Sequence, residues 1–195
     1  MTETARHAFS THRALLEKWR KVMDLVGPGS IEPHFEDAEQ AAGWLAEALP
    51  EASRAEGLTG RWADLGSGAG FPGVALAALH PTAEVWLVER RQKRAAFLEQ
   101  VVAGGKLANA RVVEGDSADL PVGSFAGLVS RAYKPPPELL PEAERLLAPG
   151  GLLVLLLARE PVPARVGWIA AGERAYAIEG RPRRAVALRW SGASA

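Results

Sequence analysis

The sequence predicts an α/β fold with a doubly wound, mainly parallel sheet. After Arg61, short apolar runs alternate with stretches of helical periodicity, which is the pattern that βαβ units leave in a sequence. The chain has 195 residues, 48% of them hydrophobic, which suits one globular core and leaves no room for two large domains. We therefore expect a single sheet, flanked by helices, to position the functional residues.

The apolar runs and the periodic stretches between them define the elements. Five strands are predicted, at Trp62–Asp64, Glu84–Val88, Ala110–Val113, Ala126–Ser130 and Leu152–Ala158. Three helices are predicted between them, at Pro72–Leu79, Arg91–Val102 and Glu138–Leu147.

Glycines mark two turns near the end of the chain. Gly150-Gly151 indicates the C-terminal turn of the last helix, directly before the Leu-rich strand. Gly180-Arg181-Pro182 separates the runs Arg174–Ile178 and Arg184–Trp190. This spacing predicts a C-terminal antiparallel hairpin.

A helical segment precedes the sheet. Apolar residues recur at helical spacing from about His7 to Val26, and again from about Phe35 to Leu49. A polar linker then leads to Gly60. We therefore expect an N-terminal helical cap at residues 1–60 and a sheet-containing domain at residues 61–195, which together form one compact unit.

Composition excludes several kinds of chemistry. The absence of cysteine excludes disulfides, thiolate metal sites and a cysteine nucleophile, and the four histidines form no HxxxH or HExxH pair, so no metal site is predicted. Lys+Arg and Asp+Glu are each 23, so a nucleic-acid partner has to be argued from local patches. No apolar run has the roughly 20 residues of a membrane-spanning helix. Because the first residues also lack a secretory signal, we expect a cytoplasmic protein.

A glycine-rich loop is the most informative motif. The segment Asp64-Leu65-Gly66-Ser67-Gly68-Ala69-Gly70-Phe71-Pro72-Gly73 lies between the first predicted strand and a helix. Glycine backbone approaches a ligand closely, and the free N–H groups of the helix hold an anionic group. The Asp64 carboxylate suits an ammonium group or the orientation of the loop. These features fit the amino-acid portion of S-adenosylmethionine and predict cofactor-binding residues at Asp64, Gly66, Ser67, Gly68, Gly70 and Phe71.

Polar residues also follow the second and third predicted strands. Glu89 is placed to accept hydrogen bonds from a ribose diol, and Asp116-Ser117 lies where a ligand sits in an open α/β sheet. Together with Asp64 this acidic series is typical of S-adenosylmethionine-dependent methyltransferases. The alternative is that the three carboxylates are helix caps or solvated loop residues. Gly68-x-Gly70-x-x-Gly73 alone also matches the dinucleotide fingerprint, but Asp64 and Asp116 oppose an oxidoreductase.

The complete loop, including its Pro-Gly ending, resembles that of one family, the ribosomal RNA small subunit methyltransferase G family, also called glucose-inhibited division protein B. Further motifs occur in the family's order, namely Leu16-x-Lys18-Trp19, His34-x-x-Asp37, His80-Pro81, Leu87-Val88-Glu89, Lys93-Arg94, Phe97-Leu98, Leu107-x-Asn109 and Ser130-Arg131-Ala132. The resemblance covers most of the chain and is strongest from Arg61 to Ala132.

The resemblance implies a function and a set of contacts. Gly66 and Phe71 would line the amino-acid end of S-adenosylmethionine, Glu89 the ribose, Ser117-Ala118 the adenine, and Arg131 the mouth of the pocket. The family methylates N7 of a guanosine in small-subunit ribosomal RNA, so ribosomal RNA or the small subunit is the implied partner of a monomeric enzyme. Because N7 carries a free lone pair, proximity and alignment would supply most of the acceleration.

Departures from the family pattern fall on the acceptor side. Pro33 replaces an arginine, Ala38 replaces a serine, and Leu155-Leu156-Leu157-Ala158 replaces the family's Ala-Leu-Lys-Gly, with Arg159 as a shifted substitute for the lysine. Asp116 also replaces an arginine. Two alternatives therefore stay open, a diverged methyltransferase acting on another RNA or a small molecule, and a non-catalytic protein that binds S-adenosylmethionine.

Basic and polar side chains provide the remaining candidates. The clusters Arg90-Arg91-x-Lys93-Arg94 and Arg181-x-Arg183-Arg184 suit contacts to phosphates, or else form solvated charged faces. Arg131 and His34 are the candidates for a role at the acceptor. A structural salt bridge is the alternative for Arg131, and packing is the alternative for His34.

Overall fold

The computed structural model describes residues 1–48 and 57–192, which form one seven-stranded sheet covered by helices on both faces. The helices are α1 (Glu3–Trp19), α2 (Glu32–Ala48), α3 (Gly73–Leu79), α4 (Gln92–Gly104) and α5 (Pro136–Leu146), with a 3₁₀ helix at Ser117–Asp119. The strands are β1 (Gly60–Leu65), β2 (Ala83–Glu89), β3 (Ala110–Glu114), β4 (Phe125–Arg131), β5 (Leu147–Leu157), β6 (Trp168–Ile178) and β7 (Arg181–Trp190).

The strand order is β3-β2-β1-β4-β5-β7-β6. The first five strands pair in parallel, and β7 and β6 are added antiparallel to β5 and to each other. This confirms the predicted doubly wound sheet with a C-terminal hairpin. Since β2 and β4 lie on opposite sides of β1, the chain reverses its direction of winding there, and ligands bind at the carboxyl ends of strands at such a point.

Two apolar clusters occupy the two faces of the sheet. Alternate residues of β5 contribute to different clusters, with Leu152 and Val154 on one face and Leu153 and Leu155 on the other. Helices α1 to α4 cover the first face, while α5 covers the second. The strand is a continuous apolar run because both of its faces are buried.

Helix α1 ends at Trp19, so the prediction that it continues to Val26 was wrong. The last helical bond runs from the Arg20 N–H to the Leu16 carbonyl, after which the chain turns. Met23 and Val26 still pack against the core from this irregular segment, which explains why the apolar spacing continued past the helix. The predicted end of the second helix at Leu49 lies outside the described residues.

Gly150-Gly151 has another role than predicted, whereas Gly180 lies in the predicted hairpin turn. Helix α5 ends at Leu146 and β5 begins at once, so Gly150-Gly151 does not terminate the helix but lies in a bulge where the pairing of β4 with β5 shifts. The hairpin turn is at Glu179-Gly180, whose φ angles are 48° and 71°. Arg181 and Pro182 therefore belong to β7, where Pro182 lies beyond the end of the pairing with β5.

Within residues 1–48 and 57–192, no helix combines the length and the apolar character needed to cross a membrane.

Candidate functional site

The glycine loop follows β1 directly and is fixed by backbone hydrogen bonds. The Ser67 N–H donates to the Val88 carbonyl at 3.0 Å, which attaches the loop to the end of β2, and the Gly70 N–H donates to the Ser67 carbonyl at 2.7 Å. The Ser67 hydroxyl donates to the Asp64 carbonyl at 3.0 Å. Ser67 is buried, so it shapes the loop from within.

Gly66 is a loop position at which a side chain has no space. Its φ is +70°, and a Cβ built on it would lie 2.6 Å from Cδ2 of Tyr133. The Tyr133 ring therefore packs directly on the loop backbone. Glycine is required here both for the left-handed conformation and for this close contact.

Asp64 is fully buried at the end of β1. Its Oδ2 accepts the Gly73 N–H at 3.0 Å, which ties the strand end to the start of α3, while Oδ1 has no partner among the described residues. Burial raises the pKa of Asp64 to about 6. Two roles were predicted for Asp64, contact with an ammonium group or orientation of the loop. The hydrogen bond to Gly73 supports the second role.

Glu89 joins the glycine loop to the end of β2. One carboxylate oxygen accepts the Gly68 N–H at 3.0 Å, and the other accepts the Arg91 N–H at 2.8 Å. A carboxylate oxygen accepts more than one hydrogen bond, so both oxygens keep acceptor capacity for a diol.

The polar residues after β3 stabilise the start of the 3₁₀ helix. Asp116 Oδ1 accepts the Ala118 N–H at 3.0 Å and the Ser117 hydroxyl at 3.2 Å, and the hydrogen bond from Ala118 lowers the pKa of Asp116. Asp116 therefore caps the 3₁₀ helix, as the alternative interpretation expected. The Ser117 hydroxyl lies 3.0 Å from the hydroxyl of Tyr133, which links this turn to the segment that follows β4.

A cavity of about 360 Å³, here called the strand-end cavity, opens where these elements meet. Its lining is Gly66, Val88, Glu89, Arg90, Arg91, Arg94, Gly115, Asp116, Ser117, Ala132, Tyr133 and Lys134. Of the predicted cofactor residues, it brings together Gly66, Glu89, Asp116 and Ser117. The predicted residues Asp64, Ser67, Gly68, Gly70, Phe71, Ala118 and Arg131 lie outside its lining and support or flank it.

A larger cavity of about 780 Å³, here called the cap cavity, lies between the start of α2, the end of β5 and the C-terminal hairpin. Its charged lining residues are Asp37, Arg131, Lys134, Glu160, Glu179, Arg181 and Arg183. Ala132, Tyr133 and Lys134 line both cavities. Sequence reasoning missed Tyr133 and Lys134, although they directly follow the Ser-Arg-Ala motif that it singled out.

Phe71 connects the loop to the helical cap. It is 3% exposed, its ring centroid lies 4.9 Å from that of Phe35, and the His34 ring stacks on it at 5.7 Å. The Arg131 guanidinium carbon lies 4.9 Å from the Phe71 centroid. The structure thus places Phe71 in the core between α2 and β4, with His34 and Arg131 on the cap-cavity side.

Arg131 forms an ion pair, which was the alternative to a role at the acceptor. Its Nη1 lies 3.2 Å from Oδ2 of Asp37, and Oδ1 of the same carboxylate accepts the Tyr176 hydroxyl at 2.7 Å. Burial lowers the pKa of His34, which lies beside this group. Both His34 and Arg131 line the cap cavity, so neither the ion pair nor the packing removes them from its wall.

His12 of α1 holds the loop from the opposite side. Its Nε2 lies 2.7 Å from the Ala69 carbonyl, and its ring packs against Phe35 and Phe71. Burial lowers the pKa of His12 to about 4, so the ring is neutral at physiological pH and its Nε2–H donates to the carbonyl. Sequence reasoning missed this residue because only the packing of α1 brings it to the loop.

The basic clusters divide between the two cavities. Arg90 and Arg91 line the strand-end cavity, whereas Arg181 and Arg183 line the cap cavity. Arg94 donates to the Asp24 carbonyl at 2.6 Å. In the described part of the chain, no group of three or more His, Asp or Glu side chains is placed to hold a metal ion.

The sheet order and the cavity at its carboxyl edge define an α/β protein of the methyltransferase type. A mutant of MtNAS in complex with S-adenosylmethionine shares this fold, with a TM-score of 0.62 over 95% of this chain and 73% of that chain. The two sequences are 14% identical, so this likeness concerns the fold.

The profile of the GidB family, rRNA small subunit methyltransferase G, matches residues 6–162. The ribosomal RNA small subunit methyltransferase G of Paracoccus denitrificans (strain Pd 1222) is 33% identical, covering 80% of this chain and 77% of that protein. The corresponding protein of Nitratidesulfovibrio vulgaris (strain DP4) is 37% identical, covering 87% of this chain and 78% of that protein. The chain belongs to this family, which confirms the predictions of a methyltransferase and of S-adenosylmethionine as its cofactor.

Proposed function

We propose that this enzyme transfers the methyl group of S-adenosylmethionine to N7 of a guanosine in the ribosomal RNA of the small subunit. The observation that carries the proposal is the pair of adjoining cavities, which share the wall Ala132–Lys134. The strand-end cavity contains the Glu89 carboxylate, which suits the ribose of a nucleoside cofactor. The cap cavity is larger and is lined by several cationic side chains. The family assignment supports the choice of ribosomal RNA as the acceptor.

The cofactor fits the strand-end cavity in chemical terms. Glu89 offers acceptor capacity for the ribose hydroxyls, and Gly66 forms part of the cavity wall beside the Tyr133 ring, which occupies the space that a Gly66 side chain would fill. Ser117 and Asp116 line the same cavity, and their proposed partner is the adenine. S-adenosylmethionine supplies a methyl group on a positively charged sulfur, and the chain has to orient that group toward the cap cavity.

The cap cavity suits an RNA segment. Arg181 and Arg183 line it, and the buried Nε of Arg183 has no hydrogen-bond partner among the described residues. Lys134 also lines it but forms an ion pair with Glu142. Arginine and lysine at such positions bind phosphate oxygens and so position RNA without reading its sequence. These cations supply the positive charge that the family places on the lysine after the fifth strand, where this chain has Leu157 and Ala158.

The reaction needs alignment more than acid–base chemistry. Guanine N7 carries a free lone pair, so no side chain has to remove a proton before attack on the methyl carbon. Arg131 and His34 then act by holding the acceptor, and Arg131 is held in turn by Asp37. Placing N7 in line with the methyl group converts a bimolecular encounter into an oriented one.

The site also supports proposals on organisation. Residues 1–60 form a cap that works as one unit with residues 61–195, since α1 and α2 share a core cluster with α3 and α4. We expect a monomer that acts in the cytoplasm, where its proposed RNA substrate is found.

The test is transfer of labelled methyl groups from S-adenosylmethionine to small ribosomal subunits and to deproteinised RNA, both prepared from a strain that lacks the family enzyme. We expect label on one guanosine. Cleavage of the RNA strand at that nucleotide, by chemistry that is specific for 7-methylguanosine, should then identify N7 as the methylated atom. Heat-inactivated enzyme and fully methylated subunits serve as controls. Label at another atom or nucleotide would contradict the N7 assignment.

A different acceptor is the second candidate. The end of β5, where the family has a lysine, brings Leu156 and Leu157 into the cap cavity instead. An enzyme that binds S-adenosylmethionine in calorimetry and labels another RNA or a small molecule, but not the small subunit, would establish this candidate. Binding without transfer to any acceptor would indicate a non-catalytic protein.

A further inference from the structure

Tyr176, on the hairpin strand β6, reaches the functional site through one carboxylate. Its hydroxyl donates to Asp37 Oδ1 at 2.7 Å, and Asp37 Oδ2 accepts from Arg131 Nη1 at 3.2 Å. We propose that Tyr176 is a positioning residue that fixes Arg131 at the acceptor through Asp37. The proposal rests on the proposed function, since it concerns how that acceptor is held.

The three side chains come from distant parts of the chain. Asp37 lies on α2, Arg131 is the final residue of β4, and Tyr176 lies on β6, an edge strand of the sheet. The Asp37 side chain is 8% exposed, so it is largely removed from water. A buried carboxylate needs partners for both oxygens, and here each oxygen has one.

Arg131 gains a defined position from this network. Its guanidinium lies over the Phe71 ring, with Cζ 4.9 Å from the ring centroid, and one nitrogen is bound by Asp37. It lines the cap cavity beside His34. A guanidinium directs its hydrogen bonds along fixed directions, so rotation of its carboxylate partner changes where the remaining donors point.

Tyr176 prevents that rotation. Burial, together with the charge of Asp37, raises the pKa of Tyr176, so its hydroxyl stays protonated and continues to donate throughout the physiological range. The Tyr176–Asp37 bond therefore fixes the oxygen that Arg131 does not use. The hairpin thus has a role in the orientation of the acceptor, although Tyr176 itself is not part of the lining of either cavity.

The decisive variant is Tyr176→Phe, which removes only the hydroxyl. We expect kcat on small ribosomal subunits to fall roughly tenfold, because the acceptor loses its fixed partner, while the Kd for S-adenosylmethionine stays within about twofold of wild type. Arg174→Gln is the matched control. Arg174 lies on the same strand and pairs with Glu47 of α2 at 3.6 Å on the exposed surface. This control removes a contact between the same two elements and should leave kcat unchanged.

A double-mutant comparison separates positioning from general destabilisation. If Tyr176 acts through Arg131, Tyr176→Phe should have no further effect on kcat in an Arg131→Ala background. NMR of the arginine side-chain nitrogens provides a readout that does not depend on activity, since the Arg131 guanidinium should rotate faster in Tyr176→Phe. Wild-type kcat in Tyr176→Phe, additive losses in the double variant, or unchanged rotation would each overturn the proposal.

The same experiments distinguish this proposal from the proposed function. If wild-type enzyme labels no ribosomal RNA, the proposed function fails, and the rotation of Arg131 still tests the network. If wild-type enzyme labels the RNA and Tyr176→Phe does so equally well, only the positioning role fails.

Discussion

The two cavities of this enzyme are built in different ways. The polar residues of the strand-end cavity lie within a few positions of the ends of β1, β2, β3 and β4, and backbone N–H groups of the chain satisfy Glu89 and Asp116. The cap cavity is lined by α2, β5 and the hairpin, and its order depends on contacts between side chains such as Arg131 and Asp37.

This difference shows which part of the site follows from the fold and which part depends on contacts between individual side chains. Parallel strands place their carboxyl ends at one edge, so a short motif after each strand is enough to form the first cavity. The second cavity requires that distant segments pack in one arrangement. Substitutions in the strand-end cavity should therefore reduce cofactor binding strongly, whereas those in the cap cavity should reduce acceptor use and leave cofactor binding intact.

The largest effect is expected for Gly66→Ala. A Cβ at this position meets the Tyr133 ring at 2.6 Å in a backbone with φ +70°, so the loop or the ring has to move. We expect affinity for S-adenosylmethionine to fall roughly 100-fold in calorimetry. Gly123→Ala is the control, since Gly123 has φ +61° and nothing within 4 Å of an added Cβ. Equal affinity in the two variants would show that the contact with Tyr133 is unimportant.

Glu89→Gln should have the next largest effect. The substitution removes the charge that accepts the Gly68 and Arg91 N–H groups and the proposed ribose hydroxyls. Affinity for S-adenosylmethionine should fall roughly tenfold. The control is Glu84→Gln on the same strand, where an exposed carboxylate pairs with Arg61 at 3.2 Å. If Glu89→Gln binds the cofactor as tightly as wild type, Glu89 stabilises the glycine loop and does not contact the ribose.

Arg183→Gln tests the cap cavity. We expect KM for small ribosomal subunits to rise about threefold to tenfold and to depend less steeply on salt, because one phosphate contact is lost. The Kd for S-adenosylmethionine should not change. Arg189→Gln, on the same strand but bound to the Gly150 carbonyl at 2.9 Å, is the control. A loss of cofactor affinity in Arg183→Gln would contradict the separation of the two cavities.

The last prediction concerns folding rather than binding, namely the pH dependence of stability. Burial raises the pKa of Asp64 from 3.8 to about 6, so the folded state binds this proton more tightly than the unfolded chain does. The stability that this carboxyl contributes is therefore present below pH 4 and is lost as the pH rises through 6. Between pH 4.5 and 7, the free energy of unfolding of the cofactor-free wild type should fall by about 1–2 kcal/mol relative to Asp64→Asn.

Urea denaturation of both proteins at the two pH values measures this difference. Burial lowers the pKa of His12 to about 4, which acts in the opposite direction, but His12 is common to both proteins and its contribution cancels. Parallel pH profiles of wild type and Asp64→Asn would show that Asp64 does not titrate in this range.

The strand-end cavity was predictable from the sequence to the extent that it depends on the ends of strands. Gly66, Glu89, Asp116 and Ser117 were identified from their positions after apolar runs, and they do line one cavity. Phe71 was assigned to the same site, but the packing of α2 and β4 places it in the core beneath the cap. Position in a motif determines the location of the backbone, while neighbouring elements determine which side a side chain faces.

Errors at the boundaries have a related cause. The apolar spacing of Met23 and Val26 records that they are buried, and it is the same whether they lie on a helix or on a turn against the same core. Gly150 and Gly180 both adopt positive φ, with values of 83° and 71°, and sequence alone does not distinguish a helix end from a bulge or a hairpin turn.

The sequence by itself determined the class of fold, the glycine loop, the cofactor and the family, because these depend on periodicity and on short contiguous motifs. Only the tertiary structure decided that Tyr176, Asp37 and Arg131 form one network, and that His12 holds Ala69. Residues 139 positions apart in the chain, such as Asp37 and Tyr176, carry no local signal of their contact. That contact exists because the hairpin extends the sheet until β6 lies against α2, a consequence of packing rather than of any segment alone.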